Sequence, residues 1–115
     1  MAFNDIEKKR YERIVDAYVQ KRRPPPHLRK EVDLLSRVYN QSVEIYEIRP
    51  AWDDPSDLIE IPVAKTTFVK SQDEWKLFWQ RRDLKWHLYE PDGFHDSLDE
   101  VLEVIDRDEY GCFFG

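Results

Sequence analysis

No helix and no central strand can run through Pro24-Pro25-Pro26, so the chain divides into two unequal pieces joined by a stiff, extended spacer. Ahead of the prolines the apolar residues recur at helical spacing. Tyr11, Ile14, Val15, Tyr18 and Val19 form one stripe, and Lys8, Lys9, Arg10 and Arg13 lie largely off it. Asn4 stands at an N-cap with Glu7 three residues on, a variant of the capping box, so a helix is predicted over 4–22.

Past the prolines the period falls towards two. Val32, Leu34 and Val38 alternate with polar positions, Asn40-Gln41 reads as a turn, and Val43 and Ile45 lie on one face of the next strand. Tyr46 and Ile48 fall on the other face, which requires either a bulge or cover on both sides. Residues 50–57 are a Pro- and Asp-rich loop. Residues 59–70 are β-branched, Ser71-Gln72-Asp73 turns, and Trp75, Leu77 and Trp79 alternate; after a turn at Arg82-Asp83, Leu84, Trp86 and Leu88 alternate again. Connections this short exclude parallel crossovers. Ser97 with Glu100 is a capping box opening a second helix, on which Leu98, Val101, Leu102 and Ile105 keep the 3.6 period.

The expected fold is therefore α+β, with an N-terminal helix, an antiparallel meander of four to five strands and a C-terminal helix packed on one sheet face. One domain spans 1–115: a basic helix in 1–23, the proline linker 24–26, sheet in 27–91, helix in 97–108 and an aromatic tail in 109–115.

Composition narrows the chemistry. With three glycines, the chain has no phosphate-cradling loop of the Walker or dinucleotide type, and no serine sits in a nucleophile elbow. One cysteine and three scattered histidines exclude the usual structural zinc sites. No apolar run approaches a membrane span, MAFNDIEKKR lacks the apolar region of a secretion signal, and the lone Cys112 suits a reducing cytoplasm. No cofactor, no metal and no membrane partner is expected. The net charge of −6 is unevenly spread: residues 1–30 hold nine Lys and Arg against four acids, and the rest hold nine against twenty. That split fits a basic helix lying on an acidic body, or a nucleic-acid-binding arm.

Several strings are distinctive together: HLR at 27–29, EIRPAWDDP at 47–55, PVAKTTFVK at 62–70, WKLFWQRRDLKWHLYEP at 75–91 and EYGCFFG at 109–115. In them the chain resembles a small bacterial family, domain-of-unknown-function family 3024. The likeness covers residues 27–115 and leaves the N-terminal helix without a family string. It implies a bacterial cytosolic origin and brings no activity, cofactor or catalytic residue.

Four groups of residues could carry chemistry. Asp53 and Asp54, with Asp57 and Glu60 nearby, have the oxygen density of a Mg²⁺ site, but Asp-Pro-Ser-Asp is also ordinary turn chemistry. His87 would serve as a general base if Glu47, Asp83 or Glu90 oriented it; a half-exposed strand histidine is the plainer reading. If Trp75, Trp79 and Trp86 face the core, the opposite face presents Lys76, Phe78, Arg82, Lys85, His87 and Tyr89. Of these, Arg82, Lys85, His87 and Tyr89 are the candidate ligand-binding residues for single-stranded nucleic acid or an acidic protein. Cys112, among acids, is expected to be an idle thiol, and Phe113 and Phe114 to dock the tail. The leading functional expectation is a non-enzymatic binding domain for a protein partner or itself, with a homodimer in view. A nucleic-acid-binding accessory protein is the alternative, and a metal-assisted hydrolase on Asp53, Asp54 and His87 comes last.

Overall fold

Helix α1 (Asp5–Arg22) starts where the capping residues stand: Asn4 accepts from the Glu7 N–H at 2.8 Å, and Glu7 reaches back to the Asn4 N–H at 3.1 Å. The computed structural model that shows this describes residues 2–115; Met1, the first residue of the expected 1–23 unit, lies outside the described residues. The helix stops before Pro24. Its last turn is tied down by Arg23, whose guanidinium makes two 2.8 Å hydrogen bonds to the Asp33 carboxylate. That fork, together with a 3-10 turn at Pro26–Leu28 that shortens the spacer to two prolines, sets the angle at which the helix folds back. The Arg23 guanidinium also holds the Asp33 carboxyl below its usual range.

The sheet contains β1 (Asp33–Tyr39), β2 (Ser42–Pro50), β3 (Leu58–Val69), β4 (Glu74–Gln80), β5 (Trp86–Leu88) and β6 (Phe94–His95), and helix α2 (Leu98–Arg107) follows. Order along the sheet is β1-β2-β3-β4-β5, with every pair antiparallel. The two-residue strand β6 was not anticipated; it pairs with β4 at Trp75 and Lys76, on the side β5 occupies further along. Asn40, with φ at 53°, supplies the left-handed residue of the β1–β2 turn. Of the alternatives the sequence left open for β2, the bulge is not there: β2 pairs with β1 without a break through Ile45 and Tyr46, so Tyr46 and Ile48 do lie on the face opposite Val43 and Ile45, half-buried. The bulge lies in β3, where Ile45 pairs with Ala64 but Tyr46 pairs with Pro62, so Val63 is the extra residue and both it and Ala64 are buried.

Both helices cover the same face. Val38, Val43, Ile45, Ala64, Thr66, Trp75 and Leu77 point to it and meet Val15 and Val19 of α1 and Leu98, Val101, Leu102 and Ile105 of α2. Trp75 is the hub, with the rings of Phe3, Tyr11 and Phe68 at centroid distances of 5.9, 5.0 and 5.3 Å. On α2 only half of the expected capping box forms. Ser97 Oγ accepts from the Glu100 N–H at 3.2 Å, while the Glu100 carboxylate turns to His95 Nδ1 at 3.5 Å. The tail docks as expected. Asp108, left-handed at φ 42°, accepts from the N–H groups of Phe113, Phe114 and Gly115; Phe113 packs on Tyr89, and Arg22 lies over the Phe114 ring. Among the described residues no helix is long and apolar enough to cross a membrane.

Candidate functional site

Among the described residues no helix lies on the second sheet face, and its chemistry is unlike that of an ordinary solvated face. Cross-strand register puts Leu35, Tyr39, Tyr46, Ile48, Phe78, Trp86 and Leu88 there, mostly half-buried against one another, with Phe94 half-exposed under Lys76. At its centre Glu44 is only 4% exposed. The Tyr39 hydroxyl donates to it at 2.5 Å, Tyr46 donates to its other oxygen, and Lys65 Nζ stands 3.9 Å away. Arg37 extends the network to Glu60 and lies over the Tyr46 ring. A carboxylate so placed is satisfied by side chains that the strands bring together from positions 37 to 65.

Burial, followed by the hydrogen bond to Glu44, pushes the Tyr46 phenol up to about 12, and Tyr39 moves the same way for the same reasons. The neutral hydroxyl is thus the form favoured on folding. Its contribution is complete below the unfolded value near pH ~10 and is lost as pH rises through the folded value. In an ultraviolet alkaline titration, with Tyr46→Phe used to assign the step, Tyr46 is expected to ionise at about 12 in the wild type and at lower pH in Glu44→Gln. An unchanged step in Glu44→Gln would remove Glu44 as a cause.

The residues singled out from sequence separate into three places. Arg82 and Lys85 are both exposed; Arg82 lies in the expected turn, and Lys85 lies there too and not on the strand that the sequence predicted, because β5 starts only at Trp86. Tyr89 is not: it is 2% exposed, beneath Phe113. The cause is the turn. A two-residue turn at Arg82-Asp83 would set Trp79 opposite Trp86. The loop instead takes the five residues 81–85, with Leu84 at φ 62°, and sets Trp79 opposite His87 and Gln80 opposite Trp86. Each side chain of β5 therefore changes face. Trp86 joins Phe78 on the helix-free side, His87 joins Trp79, and Tyr89 enters the core. Gly93 permits the return, since a Cβ there would lie 2.8 Å from the Tyr89 carbonyl. His87 Nε2 sits 2.8 Å from Asp83 Oδ2, so the strand histidine has one of its expected acidic partners. The Lys85 N–H, and after it His87, hold the Asp83 carboxyl below its usual range.

Asp53 and Asp54 lie in the loop between β2 and β3. Asp54 accepts from the N–H and hydroxyl of Ser56 at 3.0 and 2.7 Å, which lowers its carboxyl value and matches the turn reading. Among the described residues no three His, Cys, Asp or Glu side chains are grouped to hold a metal ion. Cys112 is half-buried, and burial first and Asp108 second push its thiol up.

Sequence reading missed the arm. β4 pairs only with residues 65–69 of β3, so residues 58–64 run past β4 with β2 beside them; β1 flanks β2 as far as Ile48, and among the described residues 49–59 alone project past both strands. Apolar exposure concentrates there: Trp52 95%, Leu58 66%, Ile59 44% and Ile61 37%. Asp53, Asp54 and Asp57 share the tip, Glu60 is bonded to Arg37 of β1 at its base, and residues 51–60 contain no Lys or Arg. The signal was visible as a 12-residue strand facing a seven-residue one, but it needed the register to be read. His95 was also passed over as a loop residue. It is buried, with Nε2 2.9 Å from the Asp92 carbonyl. Between α1 and α2 an open groove of about 530 Å³ is crossed by Tyr18 and Arg22, both bonded to Asp106.

A family model described as a domain of unknown function, DUF3024, matches residues 3–115, so the match takes in the N-terminal helix as well as the strings from residue 27 onward. No curated protein and no solved structure matches the chain.

Proposed function

The chain belongs to the DUF3024 family, and from that premise we propose that it is a non-enzymatic interaction domain that presents the β2–β3 arm to a protein partner. The arm carries the reading: three exposed apolar side chains, Trp52, Leu58 and Ile59, on a hairpin that projects past β1 and β4, with Ile61 exposed at its base. Three carboxylates, Asp53, Asp54 and Asp57, in a loop without lysine or arginine specify the partner's chemistry, an apolar groove rimmed by lysine and arginine. Trp52 is the anchor expected of such a contact, large and amphipathic at the tip. A single half-buried cysteine fits work in a reducing compartment such as the cytoplasm.

A second reading, single-stranded nucleic acid at the β4–β5 hairpin, is supported by Arg81 lying 5.6 Å from the Trp79 ring centroid, with Arg82 and Lys85 exposed beside it. The two readings part in one experiment, affinity capture from extract of cells that make the protein, with the captured chains quantified. Wild type and Arg82→Ala/Lys85→Ala are expected to retain one protein in near-equal amount after nuclease treatment. Trp52→Ala/Leu58→Ser/Ile61→Ser, altered only at exposed positions, is expected to lose it. Equal capture by the arm variant refutes the proposal. Salt-sensitive nucleic acid lost from the Arg82/Lys85 variant would establish the second reading.

A further inference from the structure

The outer edge of β1 is free, and we propose that it pairs antiparallel with β1 of a second copy of this chain, about a twofold axis at Ser36, so that the two sheets become one. This inference uses a different surface from the arm and does not depend on it.

The direction of the backbone groups comes from the turn. β1 and β2 are joined by two residues, with Tyr39 opposite Ser42. The pair that closes such a hairpin exchanges both of its backbone hydrogen bonds, and so does every second pair behind it. Tyr39, Arg37, Leu35 and Asp33 therefore face β2, and Val38, Ser36 and Leu34 turn their N–H and C=O outward. Leu34 agrees: its N–H donates to the Asp33 carboxylate at 2.8 Å. Among the described residues no backbone hydrogen bond outside the strand ladders reaches residues 33–39.

Three outward residues spaced evenly about Ser36 are self-complementary. Antiparallel pairing sets Leu34 opposite the second copy's Val38, Ser36 opposite its own counterpart, and Val38 opposite Leu34, all at hydrogen-bonding positions; the Leu34 N–H exchanges its bond to the Asp33 carboxylate for the Val38 carbonyl, and Asp33 keeps its fork to Arg23. On the helix-free face the same register sets Leu35 opposite Arg37 and Asp33 opposite Tyr39, so like charges never stand opposite one another. Arg37, Asp33 and Tyr39 already have partners in Glu60, Arg23 and Glu44, and pairing leaves no charge buried alone. On the helix side a groove of about 370 Å³ opens between α1 and this edge, lined by Glu12, Arg13 and Asp16 as well as Ser36 and Val38.

A second open edge, on β3, shows what a guarded strand looks like. Residues 58–64 carry Pro62, which has no N–H to offer, and Glu60. β1 runs seven residues with neither proline nor lysine, and an edge of that kind stays open when something pairs with it.

Solution mass and amide exchange of the intact chain, followed from low to high micromolar concentration, provide the test. The expected result is a concentration-dependent rise from the 14.0 kDa chain to twice that mass. The Ser36 and Val38 amides should slow by at least about tenfold over the same range. Ser36→Pro removes the central outward donor without touching the β2 ladder and is expected to stay monomeric with an unchanged circular dichroism spectrum; should it unfold, the wild-type amides still decide. A mass of one chain at every concentration overturns the proposal. So does a doubled mass with Ser36 and Val38 exchanging fast. The variant Trp52→Ala/Leu58→Ser/Ile61→Ser is expected to remain dimeric, and its dissociation would show that the arm, not β1, joins the copies.

Discussion

Trp75→Ala is expected to lower stability by about 3–5 kcal/mol, the usual range for removing a buried tryptophan. Trp75 is 2% exposed and stands where three parts of the chain meet. Phe3 comes from the segment before α1, Tyr11 from its first half and Phe68 from the end of β3, each ring within 6 Å or less of the indole centroid. The substitution removes the indole's own burial and leaves a cavity that those rings can fill only by moving. It also loses edge and tilted aromatic contacts worth about 0.5–1.5 kcal/mol per pair beyond area. Urea unfolding should show the midpoint falling with an unchanged slope, and a thermal midpoint should drop by roughly 10–20 °C. Trp52→Ala is the internal control, since at 95% exposure its effect should stay within about 0.5 kcal/mol. Equal effects at the two tryptophans would contradict the placement of the core.

Asp108→Ala is expected to cost about 2–4 kcal/mol and to release the tail, because one side chain performs two tasks there. Its backbone is left-handed at φ 42°, a conformation that aspartate tolerates and alanine resists by about 1 kcal/mol. Its carboxylate accepts from three consecutive N–H groups, Phe113 at 2.9 Å, Phe114 at 2.8 Å and Gly115 at 3.1 Å. Asp108→Gly separates the tasks: it relieves the backbone and still loses the acceptor, so it should fall between Asp108→Ala and wild type. Cys112 reports the outcome. Burial and Asp108 together hold its thiol above the ordinary range, so releasing the tail removes both causes. The thiol should then react faster with a disulfide reagent at mildly alkaline pH. Unchanged reactivity in Asp108→Ala would mean that the Phe113–Tyr89 contact alone holds the tail.

Where a feature depended on residues within a turn or two of each other, it was legible. Asn4 with Glu7, Ser97 as a cap, the proline stop after Arg23 and the Asn40-Gln41 turn all rest on contacts between near neighbours. The period-two runs identified the strands, while the clash of phase between Ile45 and Tyr46 marked a strand with apolar residues on both faces and not a bulge, which lies at Val63 of β3. Glu100 shows the limit of that kind of reading. Its spacing from Ser97 is right for a reciprocal cap, yet a histidine from β6 takes its carboxylate instead.

Surface assignments failed where one turn length governed many side chains. A five-residue loop in place of a two-residue one exchanged the faces of Trp86, His87 and Tyr89 and dismantled the binding face drawn from Arg82, Lys85, His87 and Tyr89. The Glu44 network and the exposed arm depend in the same way on which residue of one strand lies beside which residue of another. Sequence alone determined both helices, the five longer strands, their order and the one-sided helical cover, because caps, prolines and hydrophobic period act locally; β6 it did not show. Tertiary structure decided which side chains share a face and which edge stays open. Register is a sum over two strands and the turn between them, and a change of one residue in that sum inverts everything beyond it.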